Sequence, residues 1–167
     1  MIGRARAPAA GTVLNALANH TGSAFAIDAY TTAEVELDDR DEVTGEVAEN
    51  PDADTRLIER CVAAVTGRYG DGEGGTVHTE SEVPMAAGLK SSSAAANATV
   101  LATLDALADA VADDPGAADA EHGSAAIERV DACRMGVQAA RDAGVTVTGA
   151  FDDASASMLG GVTVTDN

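Results

Sequence analysis

The chain has 167 residues, of which 28 are Asp or Glu and 10 are Lys or Arg, so its formal net charge is −18. This charge argues against nucleic-acid binding, which needs a basic surface to displace counterions from the phosphates. It favours a salt-rich cytosol in which surface charges are screened; the alternative is an ordinary mesophilic protein that is acidic. No apolar run approaches the roughly 20 residues that a membrane-spanning helix needs.

The composition also predicts an unusual core. Hydrophobic residues make up 46% of the chain but aromatic residues only 2%, so we expect a core of Ala, Val and Leu. Cys61 and Cys133 lie far apart in helical patterns, which favours buried thiols in a reducing compartment over a disulfide or a zinc site. The N-terminus lacks the apolar segment of a signal peptide, and we expect a cytoplasmic protein.

The first third of the chain is predicted to be β-structure. The segment AFAIDAYTTAEVELDD ends with Ala33, Val35 and Leu37 alternating with acidic residues, which is typical of a half-buried strand. GGTVHTESEV alternates in the same way. Between them, apolar residues from Leu57 to Val65 recur at helical spacing, with NPDADT marking the start of a helix and GRYGDGEGG its end.

The remainder is predicted to be mostly helical, which makes the fold class α+β. A helix with an apolar face from Val100 to Val111 follows three serines and ends at DDPG. Residues 117–144 are expected to form two helices broken near Gly123 or Gly136. VTVTG is predicted to be a short strand, and the chain closes with a short helix, a glycine pair and a final strand.

The stretch EVPMAAGLKSSSAAANATVLATL favours an anion site. A helix N-terminus carries free N–H groups and partial positive charge, Gly88 allows close approach of the backbone, and Lys90 is the only lysine in the chain. It is not a Walker A loop, because Leu89 stands where that motif has glycine. The alternative is a serine-rich helix cap that binds nothing.

Three segments resemble the GHMP small-molecule kinases, a family that includes galactokinase, homoserine kinase and mevalonate kinase. PMAAGLKSSSA (84–94) is similar to the phosphate-binding loop, GRARAPAAGTVLNALANHTGSAFAID (3–28) to the N-terminal segment, and TGAFDDASASMLGG (148–161) to the segment in which an aspartate precedes two glycines. Within the family, the serine triplet with lysine, the AGTVLN segment and the paired aspartates look most like the archaeal shikimate kinases.

The resemblance implies an ATP site with Mg²⁺. In that site Lys90, which replaces the usual glycine of the loop, would neutralise charge on the transferred phosphoryl group, and Ser92 would reach Mg²⁺. Asp153, counted back from the glycine pair, would be catalytic by accepting or orienting the proton of the acceptor hydroxyl. The residues expected to contact the nucleotide are Pro84, Met85, Ala86, Ala87, Gly88, Leu89, Lys90, Ser91, Ser92, Ser93 and Ala94.

Other polar residues are candidates for binding the acceptor: Asn15, His20, Asp28 and Asp152. Two of these have alternatives, because Asp152 could cap a helix and His20 could be an ordinary surface residue. Asp142 could lie near the metal or Lys90, although a solvated position on a helix is favoured. His78 and His122 show no partner arrangement.

The resemblance further implies a GHMP kinase fold with an N-terminal domain like domain 2 of ribosomal protein S5. Residues 1–115 would form the ATP-binding domain and residues 116–167 part of a C-terminal domain, since the family's third, glycine-rich motif is absent and the chain is expected to be truncated. The function implied is ATP-dependent phosphorylation of shikimate, a small-molecule substrate. The alternatives are homoserine or mevalonate kinase, or a non-catalytic nucleotide-binding fragment.

Overall fold

The chain alternates strands with helices that pack against a mixed sheet. The computed structural model describes residues 1–16, 20–83, 88–107, 111–112, 127–146 and 151–166. These residues form seven strands and four helices: β1 (Ile2–Leu14), β2 (Thr21–Asp38), β3 (Val43–Val47), α1 (Arg56–Tyr69), β4 (Gly74–Ser81), α2 (Ser91–Ala106), β5 (Val111–Ala112), β6 (Ile127–Glu128), α3 (Arg129–Asp142), α4 (Asp152–Leu159) and β7 (Val162–Asp166).

Strand β2 is the centre of the main sheet, in which the strand order is β1-β2-β4-β3. It runs antiparallel to β1 along most of its length and antiparallel to β4 over Thr31–Asp38, whereas β7 pairs with its first residues, Thr21–Phe25. Ala33, Val35 and Leu37 are buried while the intervening acidic side chains are exposed. The predicted alternation is therefore confirmed, and so is the α+β class.

Helix α2 lies close against the sheet because small residues face each other across that contact. A Cβ added at Gly3 of β1 would overlap the Ala102 carbonyl oxygen of α2, and Ala98, Ala102 and Ala106 pack in one cluster with residues of β1, β2 and β4. The largest fully buried hydrophobic side chains are the Val and Leu that the composition predicts: Val35, Leu37, Val62, Val65, Val77, Val83, Val100 and Leu104.

Both cysteines are buried free thiols, as predicted. Cys61 of α1 and Cys133 of α3 belong to a second cluster, to which α1, α2, α3 and α4 all contribute. Burial raises the pKa of each thiol to about 12, so both side chains act as small apolar groups in the core. Among the described helices, none is both long and apolar enough to cross a membrane.

One helix prediction was wrong, and one of the two positions predicted for a helix break is excluded. Helix α2 ends at Ala106, and Val111, expected on its apolar face, instead pairs with Ile127 in a parallel two-stranded ladder; a β-branched residue suits that extended backbone. Gly136 does not break a helix but lies buried inside α3, where a Cβ would be 3.4 Å from the Ala96 side chain of α2. Close packing of α3 on α2 explains that glycine.

Other predictions fall partly outside the described residues. Gly123, His122 and the domain boundary near residue 116 lie there, so the division into two domains stays a prediction. In VTVTG, Val145 and Thr146 are described and are not part of a strand. The closing helix and strand are confirmed as α4 and β7.

Candidate active site

The N-terminus of α2 is presented by an unusual backbone turn. Gly88 has φ of 74° and Lys90, at the N-cap position, has φ of 52° and ψ of 41°, the left-handed conformation. The Leu89 carbonyl accepts a hydrogen bond from the Ala10 N–H of β1 at 3.3 Å, which fixes the loop against the sheet. No side chain caps α2 in its described surroundings. The N–H groups of Ser93 and Ala94 donate to the Lys90 carbonyl oxygen, which leaves the N–H groups of Ser91 and Ser92 to interact with an anion.

The side chain of Lys90 forms an ion pair with Asp153, 63 positions later in the chain. Lys90 Nζ lies 2.8 Å from Asp153 Oδ2. Thr12 of β1 donates a hydrogen bond from Oγ1 to the other carboxylate oxygen, Oδ1, at 2.8 Å. The Asp153 side chain is 14% exposed and that of Lys90 39%, so a ligand can reach the pair. The two residues proposed as catalytic therefore face each other, and Thr12 orients the carboxylate.

Asp152 is adjacent in sequence but sits in a different environment. It is 2% exposed, and its Oδ1 has no hydrogen-bond partner in the described part of the chain. Burial, and secondarily the charge of Asp153, raises its pKa. The helix-cap alternative for Asp152 is wrong, because Phe151 occupies the N-cap position and no side chain caps α4. A Cβ at Gly22 of β2 would overlap the carboxyl carbon of Asp152, so this glycine leaves room for the buried acid.

A cavity of about 160 Å³ opens beside the ion pair, between the start of α2, the middle of α3 and the start of α4. Its polar lining comes from Lys90, Ser92, Ser93, Asn97, Thr146 and Asp153, whereas α3 contributes Gly136, Val137 and Ala140. Since a water occupies about 30 Å³, the volume suits a phosphoryl group with a few waters. Ser92, at the start of α2, and Asp153, at the start of α4, both line this cavity, so both side chains could contact a hydrated cation inside it.

A second cavity, of about 190 Å³, adjoins the first. Ser92 and Val145 line both, and the rest of the second lining is largely apolar, with contributions from Val47, Leu57 and Ile58. A ligand with a polar and an apolar end could therefore occupy both cavities across the first turn of α2. This pairing of cavities was not foreseen from the sequence.

The structure gives positions for the predicted acceptor-binding residues but does not show their distance from an acceptor. Asp28 is exposed on β2, opposite the register shift between Pro8 and Ala10 of β1. Asn15 and His20 flank residues 17–19, which lie outside the described residues, and His20 has φ of 65°. Their distance from an acceptor stays a prediction. Of the nucleotide-binding set, Pro84, Met85, Ala86 and Ala87 also lie outside the described residues.

The structure decides between the alternatives for Asp142. Its Oδ1 accepts a hydrogen bond from Gln138 Nε2 at 2.9 Å on an exposed face of α3. That face borders a groove shared with Arg60 and Arg68 of α1, whereas Gly136 and Ala140 face the Lys90 cavity. Asp142 is therefore a solvated helix residue. His78 lies exposed on β4, 3.9 Å from a carboxylate oxygen of Glu46.

Sequence reasoning missed two residues of the site. Thr12 lies within the segment that resembles the family's N-terminus, but nothing in its spacing distinguishes it from other strand residues. Asn97 lies on α2 among alanines and is 1% exposed. An amide in a helix of small apolar residues was a usable signal, because a buried polar group needs a partner or a function.

Comparison with known proteins agrees with this geometry. Residues 56–161 match the family described as GHMP kinases N terminal domain. Shikimate kinase from Halobacterium salinarum is 66% identical over 168 aligned residues, covering 100% of this chain and 54% of that protein. Shikimate kinase from Methanothrix thermoacetophila is 56% identical, with 51% of its length covered. The chain thus spans about half the length of these relatives.

Solved structures share the fold at low sequence identity. Mevalonate kinase from Methanococcus jannaschii superposes with a TM-score of 0.72 at 14% identity, covering 100% of this chain and 53% of that one. Mevalonate diphosphate decarboxylase from Staphylococcus aureus gives a TM-score of 0.66 at 21% identity, with 97% and 45% covered. The predicted resemblance is confirmed: the chain belongs to the GHMP kinase family.

Proposed function

We propose that this chain forms the ATP-binding part of a shikimate kinase, which transfers the γ-phosphoryl group of ATP to the 3-hydroxyl of shikimate. The observation that carries the proposal is the Lys90–Asp153 pair, 2.8 Å apart at the open N-terminus of α2. The 66% identity to a shikimate kinase along the whole chain supports the acceptor. On this proposal the product enters chorismate and aromatic amino-acid biosynthesis in the cytoplasm.

The residues present account for the transfer step. The acceptor oxygen attacks the γ-phosphorus, its proton passes to the Asp153 carboxylate, and the bond to the β-phosphate oxygen breaks to release ADP. Thr12 holds one oxygen of Asp153 through a 2.8 Å hydrogen bond, which orients the carboxylate for this proton. Lys90 offsets negative charge on the transferred group, in keeping with a reaction that depends on positioning and electrostatics.

The cavity beside the pair fits the phosphates and their cation. Mg²⁺ commonly keeps several waters and binds one or two protein ligands together with substrate phosphates, and the described residues contain no cluster of three acidic, His or Cys side chains that would hold a metal alone. Ser92 would bind Mg²⁺ beside the phosphates, in the cavity that Asp153 also lines. When bound, Mg²⁺ would neutralise charge on the β- and γ-phosphates.

The apolar cavity is the candidate site for the adenine base. It joins the polar cavity at Ser92, and Ala95 of α2 lies in its wall. Filling it with Ala95→Leu is expected to raise KM for ATP and leave KM for shikimate unchanged. An equal rise in both KM values would contradict this placement.

The function can be tested by measuring ADP release in high KCl. The chain would be assayed alone and as a chimera joined after residue 167 to the C-terminal half of the Halobacterium salinarum relative. Shikimate, homoserine and mevalonate would be offered in parallel with ATP and Mg²⁺. We expect turnover with shikimate, with its 3-phosphate as product.

The competing functions give different results. Turnover confined to homoserine or mevalonate would identify another kinase of the family. ATP binding without transfer to any of the three alcohols, in the chain and in the chimera, would indicate a non-catalytic nucleotide-binding protein. A separate series of KCl concentrations would test the prediction of a salt-rich cytosol. A chain of charge −18 should become more stable as KCl screens the repulsion between its negative charges.

A further inference from the structure

Asn97 is a buried polar residue of α2, seven positions after Lys90 in the sequence. Its side chain is 1% exposed and lines the cavity beside the ion pair. The Nδ2 amide donates a hydrogen bond to the Ala154 carbonyl at 2.9 Å. Its Oδ1 has no hydrogen-bond partner among the described residues. The Asn97 side chain therefore makes one hydrogen bond through its amide nitrogen and none through its oxygen among the described residues.

The hydrogen bond to Ala154 connects the two helices that carry the ion pair. Ala154 directly follows Asp153 in the first turn of α4, and Lys90 immediately precedes α2. A displacement of α4 along α2 would separate the ammonium from the carboxylate. The Asn97 amide resists that displacement because its donor has a fixed direction toward one carbonyl.

The unpartnered Oδ1 argues against a purely structural role. A buried acceptor without a donor destabilises the folded chain, and an apolar side chain of similar size would avoid that cost. Helix α3 lines the cavity there with small apolar residues. A Cβ added at Gly136 would lie 3.4 Å from the Asn97 Oδ1. Asparagine is therefore unfavourable for stability at this position. A role in the candidate active site would explain why it is present.

We propose that Asn97 is a positioning residue for phosphoryl transfer: through Ala154 it holds the Asp153 carboxylate opposite Lys90. The inference deepens the proposed function and rests on it. It predicts that loss of the Nδ2 donor lowers kcat, because misplacement of a reacting group by about 1 Å can cost on the order of 10²-fold. Substrate binding is expected to change little.

Two variants separate the donor from the acceptor. Asn97→Asp keeps the shape and an acceptor but loses the donor, and Asn97→Leu loses both. In the chimera, each is expected to lower kcat by about 10²-fold with little change in either KM, while the melting temperature of Asn97→Leu stays equal to or above that of the unaltered chain. Full kcat in Asn97→Asp, or a loss of activity that only parallels a loss of stability, would overturn the proposal.

Thr99→Val is the matched control. Thr99 lies two positions along α2, is fully buried, and its Oγ1 also lacks a partner in the described chain, but it does not line the cavity. Removing this hydroxyl should leave kcat and both KM values unchanged. A fall in kcat equal to that of Asn97→Leu would mean that any polar change in the helix affects turnover, and would contradict the proposal.

A second measurement does not depend on turnover. Lys90 is the only lysine in the chain, so ¹⁵N-lysine labelling of this chain gives one Nζ signal that reports on the ion pair. Asn97→Leu, which removes the donor without adding a charge, and Asp153→Asn should both shift that signal, and Thr99→Val should not. An unmoved signal in Asn97→Leu would overturn the inference, whereas a shifted signal in a protein that does not phosphorylate shikimate would overturn only the proposed function.

Discussion

Two ion pairs of nearly equal length have different consequences in this molecule. Arg40 Nη2 lies 2.6 Å from Asp38 Oδ2, and Lys90 Nζ lies 2.8 Å from Asp153 Oδ2. The first joins residues two positions apart, with side chains 52% and 37% exposed. The second joins the N-terminus of α2 to α4, with side chains 39% and 14% exposed, and Thr12 of β1 donates a hydrogen bond to its carboxylate. The distance between the charges therefore does not indicate what an ion pair contributes to the protein. Its contribution depends on the elements that the pair connects.

The difference follows from solvent and chain entropy. The two residues of an exposed local pair are already close together in the unfolded chain. Salt also screens their attraction, because the Debye length is about 3 Å at 1 M. The site pair brings together distant segments beside a cavity, so its charges act on whatever enters. We expect the surface pair to be dispensable and the site pair to control turnover.

Asp153→Asn should produce the largest effect. The amide retains the shape but cannot accept the proton of the acceptor hydroxyl, so we expect kcat of the chimera to fall by about 10²–10⁴-fold. Steady-state ADP release with shikimate would measure it, with circular dichroism to show that the variant folds. A kcat within a few-fold of the unaltered chimera would exclude Asp153 as the base.

Lys90 allows a test that separates charge from backbone strain. Its φ of 52° is costly for a residue with a Cβ, by about 1–2 kcal/mol, and glycine adopts it freely. Lys90→Gly is therefore expected to leave stability equal or higher while lowering kcat by roughly 10²–10³-fold, the usual cost of a lost electrostatic contact. Paired melting and kinetic measurements would check this.

Lys90→Arg is the charge-conserving control for that variant. It should keep the left-handed strain and part of the activity, because the guanidinium carries the same charge with a different shape. If Lys90→Gly and Lys90→Arg were equally active, the ammonium would not contribute to transfer.

Asp152→Asn should have a smaller effect, on stability. Burial raises the pKa of Asp152, so the folded chain holds this proton more tightly than the unfolded chain, and stability falls as pH rises from the ordinary value of 3.8 through the raised pKa. Asparagine does not titrate. The melting temperature of the variant minus that of the unaltered chain should therefore increase with pH across this window, as calorimetry at a series of pH values would show.

A difference in melting temperature that is flat with pH would mean that Asp152 titrates as it does in the unfolded chain. A difference that decreases with pH would mean that the carboxylate is stabilised in the folded state. The nearby Lys90 charge acts in that direction, but the burial of the side chain outweighs it.

Local patterns allowed much of the fold to be predicted. The alternation around Val35 and the helical spacing from Leu57 to Val65 depend on which face each side chain buries, and the structure confirms both. The end of α2 was missed because Val111 satisfies a helical pattern equally well, and its pairing with Ile127 depends on residues 16 positions away. Tertiary pairing overrides local periodicity there.

The residues of the candidate site also divide into those that the sequence identifies and those that only the fold reveals. Gly88, Lys90 and the serines could be selected because they are contiguous in sequence and resemble a known loop. Thr12 could not, since its importance comes from a contact to Asp153 at a sequence separation of 141 residues. Asn97 could have been noticed as an amide among alanines, but its contact to Ala154, 57 residues away, could not have been predicted. A contiguous motif can be selected from the sequence, whereas the contacts that Thr12 and Asn97 make are visible only in the fold.

The smallest effect is expected at the surface pair. The hydrogen bonds that Arg40 donates hold the pKa of Asp38 below its usual range, so any stability from the pair is present above pH 3.8 and is lost as pH falls below that value. Because the carboxylate is exposed, Asp38→Asn should leave kcat unchanged and the melting temperature nearly so. Carboxyl ¹³C NMR should show the Asp38 pKa returning toward 3.8 in molar KCl or in Arg40→Gln. A loss of turnover in Asp38→Asn as large as that in Asp153→Asn would contradict the distinction between the two pairs, because nothing but an exposed local contact would have been removed.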